Sequence, residues 1–294
     1  MNTNPAQNNS LDLPDGRKIG FSEYGDPHGT PIFYFHGTPG SRLEAGRLHE
    51  MGVAHHYRVI GVDRPGMGLS TYDPSGTLLS WAKDVAYLAD HLSLKKFFLI
   101  GHSGGTPYAA ACAYALPDRV EGTAIISGMG PFEKPEAQTG LATGQKVISH
   151  LIRLIPPSAN LMMWLTEKML KNPDKMFDHM VKQLPKPDQL VFSDPEEKKF
   201  LIASSLEAFR EGSKGPAQEM RLLLKPWGFH LEDIKIPIHI WHGALDKQAP
   251  RSHAELYAKL IPHAKLEVRD NEGHISILKN CMSEILKKLT AVSV

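Results

Sequence analysis

Cysteine is scarce in this chain, with Cys112 and Cys281 the two among 294 residues. That is too few for a disulfide framework, and their separation offers no CxxC spacing for zinc or dithiol chemistry. Excess charge is missing as well, since 33 basic residues against 32 acidic ones leave a formal +1. No long-range field follows, so nothing in the net charge directs the chain to nucleic acid or to an anionic membrane. No apolar run approaches the roughly 18 residues that mark a transmembrane helix. The start, MNTNPAQNNSLDLPDG, has neither a basic n-region nor an apolar h-region, and no secretory signal is expected there. With 41% hydrophobic and 22% charged residues, the composition points to a soluble, cytoplasmic globular protein. Its length suits one large α/β domain or two small ones.

The first ten residues are Asn-rich and expected to be disordered. LDL and KIGFSEY then flank PDG, the pattern of an antiparallel hairpin. PIFYF (31–35), RVIGVD (58–63), FFLI (97–100), TAIIS (123–127), IPIHIW (236–241) and KLEVR (265–269) are short and largely apolar. Runs apolar at nearly every position predict strands of a parallel sheet, covered on both faces. SWAKDVAYLADHLSL (80–94) reads as a helix with Trp81, Val85, Leu88, Ala89 and Leu92 on one stripe. Strands alternating with helices predict a doubly wound α/β fold. The alternation stops near residue 130 and resumes near 230. Between them VISHLIRLI, ANLMMWLTEKMLKN, DKMFDHMVKQL and EEKKFLIASSLEAFREG read as helices separated by Pro punctuation. The expectation is a catalytic domain of residues 10–130 and 230–294, with residues 131–229 as a helical cap over the C-terminal edge of the sheet. Glycines at 128, 130, 212 and 215 would permit such a cap to move.

The richest segment chemically is FFLIGHSGGTPYAAACAYA (97–115). A buried strand enters Gly101-His102-Ser103-Gly104-Gly105 and leaves as an Ala-rich helix, which is G-x-S-x-G in a strand–turn–helix context. A serine on so tight a turn needs small residues two positions before and after it, and the helix N-terminus aims its positive end at the site. A nucleophilic serine also needs a base, an orienter for the base, and donors for an oxyanion. His274, in DNEGHISIL after the last strand, is the candidate base. Asp246, in WHGALDKQAP after IPIHIW, is the candidate orienter, with Asp233 and Asp270 as rivals. The order Ser103, Asp246, His274 places the long first interval where the cap falls. The oxyanion donors should be backbone N–H groups of Gly104 and of the loop His36-Gly37-Thr38-Pro39-Gly40. Pro39 lacks an N–H and Gly37 supplies the turn, which leaves Thr38.

HGTPG (36–40), DRPGMGLS (63–70), GHSGG (101–105), HGALD (242–246) and EGH (272–274) together resemble the α/β-hydrolase fold superfamily, in its capped serine-hydrolase branch. The resemblance spans the catalytic domain and matches the cap only in position. It implies a mostly parallel eight-stranded sheet flanked by helices, with the cap inserted after strand 6. It also implies Ser103 as nucleophile, Asp246 and His274 as its triad partners, and no cofactor. Serine at position 103 argues against haloalkane dehalogenases and soluble epoxide hydrolases, which carry Asp there. Asp63 and Arg64 are read as pinning a loop near the site.

Other signals carry less. His55-His56 are adjacent, and His239 and His242 point to opposite faces of a strand, so no metal is expected. Met162, Met163, Trp164, Met169, Met176, Phe177 and Met180 pack the cap or line an apolar pocket. Glu207 and Glu211, on one helical face, are solvated or receive a substrate's cation. The leading function is hydrolysis of a small-molecule ester, thioester, lactone or amide through an acyl-enzyme. Other superfamily activities stay open, namely C–C hydrolysis, release of N-terminal proline and perhydrolysis. A ligand-binding signalling protein with little turnover is the reading of a different class. Activity should fall as pH drops through the His274 pKa, about 6 to 7 for an ordinary imidazole. Oligomeric state is not fixed by any feature of the sequence.

Overall fold

The computed structural model describes residues 8–291, so residues 1–7 of the Asn-rich start lie outside the described residues. Asn9 and Ser10, expected to be disordered with them, open the first strand. The chain runs β1 (Asn9–Asp12), β2 (Lys18–Gly25), β3 (Thr30–Phe35), a 3-10 segment (Arg42–Leu48), α1 (His49–His55), β4 (Tyr57–Val62), α2 (Leu78–His91) and β5 (Phe97–His102). A single 3-10 turn (Ser103–Gly105) leads into α3 (Thr106–Ala115), followed by β6 (Val120–Ile126). The insertion then supplies α4 (Thr143–Leu154), α5 (Pro157–Met169), α6 (Pro173–Val181), α7 (Lys186–Val191), α8 (Pro195–Ala208) and α9 (Lys214–Leu224). The sheet resumes with β7 (Ile238–Gly243), α10 (Arg251–Leu260), β8 (Ala264–Arg269) and α11 (Ser276–Thr290).

The eight strands form one sheet in the order β1-β2-β4-β3-β5-β6-β7-β8. β1–β2 and β2–β4 are antiparallel, and every later pairing is parallel. The apolar runs explain this. Phe33, Phe35, Ile60, Val62, Leu99, Ile125 and Ile240 face one layer with Trp81, Val85 and Leu88 of α2, Ala109, Ala110, Ala111 and Ala113 of α3 and Tyr257 of α10. Ile32, Tyr34, Val59, Ile100, Ile126 and Trp241 face the other with Ile277, Ile285 and Leu289 of α11. Each large side chain so buried contributes about 2 kcal/mol. α2 begins two residues earlier than its expected start because Thr77 caps it. Thr77 Oγ1 accepts from Ser80 N at 3.0 Å, and Ser80 Oγ accepts from Thr77 N at 2.8 Å.

The insertion has its own core, built on Phe132, Ile152, Met163, Leu170, Phe177, Phe209 and Leu224, against which Met162, Met176 and Met180 are partly buried. These methionines pack helix on helix, whereas Trp164 and Met169 are exposed. Two of its helices, α7 and α9, lie outside the segments that the sequence marks as helical. No helix among the described residues is long and apolar enough to cross a membrane.

Candidate active site

β5 is buried at every position and delivers Ser103 with φ +51°. A non-glycine residue in the left-handed region costs about 1–3 kcal/mol and persists only where its surroundings hold it. The turn is held from both sides. A Cβ on Gly101 would lie 2.8 Å from Ala109 Cβ, and one on Gly105 would lie 2.2 Å from the Phe35 carbonyl oxygen. Only hydrogen fits at either position, so α3 closes directly onto β5. Thr106 Oγ1 donates to Ser103 O at 2.8 Å and fixes the turn's carbonyl.

Asp246 follows β7, and His274 lies between β8 and α11. The two meet at 2.7 Å between His274 Nδ1 and Asp246 Oδ2. The other oxygen, Asp246 Oδ1, accepts from Gln248 N at 2.7 Å and Ala249 N at 3.0 Å, which fixes the plane of the carboxylate. Burial disfavours the imidazolium of His274, but the charge and hydrogen bond of Asp246 outweigh it, with Asp188 and Glu44 adding to the effect. The His274 pKa therefore lies above that of an ordinary imidazole. Burial likewise disfavours the Asp246 carboxylate, and His274 overrides it and holds the acid below its usual range. The His274 ring lies 5.1 Å, centroid to centroid, from the ring of His102, the residue before Ser103. Asp246, His274 and the elbow formed by Gly101–Gly105 thus share one end of the sheet. Among the described residues no hydrogen bond joins the Ser103 hydroxyl to His274.

Thr38 and Gly104 are brought together as well, since a Cβ on Gly104 would fall 2.0 Å from Thr38 Oγ1. The loop carrying Thr38 is held by Arg64, which donates to His36 O at 2.6 Å, Gly37 O at 3.0 Å and Thr38 Oγ1 at 3.3 Å. Asp63 accepts from Arg42 N and Arg42 Nη1, both at 2.7 Å, and from Leu69 N at 2.9 Å. Arg64 therefore ties the loop beside Gly104, while Asp63 ties the segments of Arg42 and Leu69.

A sequence profile described as the alpha/beta hydrolase family matches residues 32–282. The chain belongs to this family. The α/β-hydrolase is 26% identical over 298 residues to a Mycoplasma pneumoniae protein named "Putative proline iminopeptidase", covering 93% of this chain and 94% of that one. It is 35% identical over 119 residues to the non-heme chloroperoxidase of Streptomyces lividans, covering 40% of this chain and 43% of that one. Among solved structures, an esterase from Exiguobacterium antarcticum superposes with a TM-score of 0.69 at 23% identity, covering 97% and 99% of the two chains. A hydrolase from Pseudomonas aeruginosa gives 0.70 at 19%, covering 99% and 100%. These two superpositions show the fold.

The α/β-hydrolase also carries site-adjacent residues that the sequence does not single out. Glu44 accepts from Tyr34 Oη at 2.9 Å and Gly37 N at 3.1 Å, and bonds His102 Nδ1 at 2.9 Å. From the insertion, Glu219 of α9 forms a buried ion pair with Arg64. Asp188 of α7 binds the main chain at His274. Glu207 does not fit either expectation for it. It pairs with Arg42 at 2.6 Å, a guanidinium that is itself buried, while Glu211 lies beyond the end of α8. The insertion is thus joined to the sheet domain through carboxylates.

Proposed function

We propose that this α/β-hydrolase is a serine hydrolase that cleaves a small ester, thioester or lactone. His274 takes the proton of Ser103 as its oxygen attacks the carbonyl carbon. Asp246 holds the imidazole with Nδ1–H toward the carboxylate, leaving Nε2 as the acceptor, and stabilises the imidazolium. The N–H groups of Thr38 and Gly104 receive the oxyanion, each worth about 3 kcal/mol in such a site. His274 then returns the proton to the leaving group, and water cleaves the acyl-enzyme by the same route. The insertion serves as a cap whose shape selects the substrate. The observation that carries this reading is the 2.7 Å Asp246–His274 pair at the same sheet end as a strained Ser103.

Release of N-terminal proline is the second reading, favoured by the full-length likeness to the Mycoplasma protein. It needs an anchor for a substrate ammonium. The carboxylates around the site are already engaged: Glu44 by His102, Asp188 by main-chain N–H groups, Glu207 by Arg42 and Glu219 by Arg64. We therefore place esters first.

The test is turnover of p-nitrophenyl esters of increasing acyl length beside proline p-nitroanilide, each with Ser103→Ala. Ester turnover lost in the variant by about a thousandfold or more is the expected result. Turnover of the anilide alone would move the assignment to the peptidase. An inert wild type on both, with no labelling of Ser103 by a fluorophosphonate, would overturn the hydrolytic serine.

A further inference from the structure

One carboxylate of the insertion reaches into the segment that carries His274. Asp188 is fully buried. Its Oδ2 accepts from His274 N at 3.0 Å, and its Oδ1 accepts from Ile275 N at 3.0 Å and Ser276 N at 2.8 Å. Three consecutive main-chain N–H groups at the start of α11 thus converge on one side chain, and among the described residues no basic side chain bonds it. A buried carboxylate is tolerated only where hydrogen bonds replace its water, and here the N-terminal end of α11 adds a favourable dipole.

The fit is close. A Cβ on Gly273 would lie 2.5 Å from Asp188 Oδ2, so glycine lets the chain pass over the carboxylate. Gly273 N donates to Ser276 Oγ at 2.7 Å, which closes the turn. On the far side of His274, Ser127 Oγ donates to His274 O at 3.3 Å. Around the carboxylate, Leu184, Val191 and Phe192 pack on Ile275 as a small apolar cluster. The backbone of His274 is therefore gripped at N by α7 and at O by the end of β6, while its ring is held at Nδ1 by Asp246.

We infer that Asp188 is a positioning residue for His274, acting through the main chain from which the imidazole hangs. This rests on the proposed role of His274 as base. Withdrawing α7 would leave three N–H groups unpaired in the protein interior, a loss that holds it in place. The charged and titratable groups facing His274 are Asp246 and His242 on the β7 side, His102 on β5, Glu44 after β3 and Asp188 on α7. Burial lowers the pKa of His102 and of His242, which disfavours their charged forms, and the three carboxylates favour the imidazolium of His274. Removing the charge of Asp188 should therefore lower the pH at which His274 becomes a free base.

Asp188→Asn and Gly273→Ala test this from the two sides of the contact. The readout is the rate of Ser103 labelling by a fluorophosphonate between pH 5 and 9, followed by intact mass, together with His274 imidazole titration by NMR. In both variants the plateau rate should fall between about tenfold and a hundredfold, the scale of a misplaced catalytic group, and the midpoint should move to lower pH. A plateau that falls with an unmoved midpoint, or wild-type values in both variants, overturns the inference. If Asp188→Asn does not fold, Gly273→Ala decides by the same two readouts. If wild type is not labelled at any pH, the serine-nucleophile reading fails and the imidazole titration decides alone. A lower His274 midpoint in the variant then supports Asp188, and an unchanged one overturns it.

Discussion

His102 Nδ1 lies 2.9 Å from Glu44 Oε1, a buried pair directly beneath the strained serine. Burial pushes the Glu44 carboxyl up, but its bond to His102 and the nearby positive charges outweigh that and hold it well below the usual range. Glu44 therefore stays ionised and orients His102, while its other oxygen ties the Gly37 end of the Thr38 loop. Glu44→Gln should cost about 3 kcal/mol, the scale for breaking a buried charged contact. The sign of the pH dependence follows from the lowered pKa. The stabilisation is complete above the unfolded value of about 4.3 and is lost as pH falls toward the folded value. Urea unfolding should show a constant gap between wild type and Glu44→Gln down to about pH 5, and a shrinking gap below it. A gap unchanged at pH 3 would mean that ionised Glu44 is not the source.

In the proposed mechanism the Asp246–His274 pair sets the pH at which His274 acts as base. The His274 pKa lies above that of an ordinary imidazole, and the proposed mechanism needs its neutral form. The acid limb of kcat/KM on an ester should therefore fall above the usual value of about 6.5. Asp246→Asn should move the limb to lower pH and reduce the plateau by about 10⁴-fold, because Asn no longer selects the tautomer. A plateau within tenfold of wild type would remove Asp246 from the proposed triad.

Much of the sheet can be read from residue order, because central strands must be apolar on both faces. PIFYF, FFLI and IPIHIW are short, rich in β-branched and aromatic residues and bounded by turn signals, which selects strand. The elbow is legible in part for a related reason, since Gly101 is dictated by Ala109 and Thr106 a few residues on, whereas the Phe35 and His36 carbonyls that exclude a Cβ at Gly105 lie far away in sequence. Asp188, Glu44 and Glu219 are different. Nothing near them in sequence separates them from the other acidic residues, and their roles exist only once His274, His102 and Arg64 are brought to them. α7 escapes notice because it is one short Pro-led helix fixed by a single buried carboxylate. Gly215 shows the same limit. Read as a possible hinge, it lies where a Cβ would meet the Gly66 carbonyl oxygen at 2.1 Å, so it serves close packing.

Gly105 offers a severe test of the elbow. An alanine methyl would lie 2.2 Å from the Phe35 carbonyl oxygen and 2.7 Å from that of His36. Both acceptors are main chain at the end of a central strand and cannot swing aside. Gly105→Ala should therefore lose about 3 kcal/mol, the upper end for overpacking a core, and Ser103 should lose its reactivity toward a fluorophosphonate. Thermal unfolding and labelling measure the two effects. A variant as stable and as reactive as wild type would show that α3 can draw back from β5.

Arg64 and Glu219 should behave as one unit rather than as two residues. Both are buried, and Arg64 also holds the carbonyls of His36 and Gly37 and lies over the Tyr108 ring at 4.9 Å. Removing Glu219 alone leaves a guanidinium in the interior without its counter-charge, so Glu219→Leu should cost about 3–5 kcal/mol. Arg64→Met alone should cost a similar amount, since it strands the carboxylate and frees the Thr38 loop. The double variant leaves neither charge unpaired, and urea unfolding should find it more stable than the sum of the singles by about 2 kcal/mol. Activity should not recover with stability, because Arg64→Met removes the donors that hold the loop of Thr38 beside Gly104. Strict additivity in the cycle would mean that the ion pair contributes nothing to joining the insertion to the site.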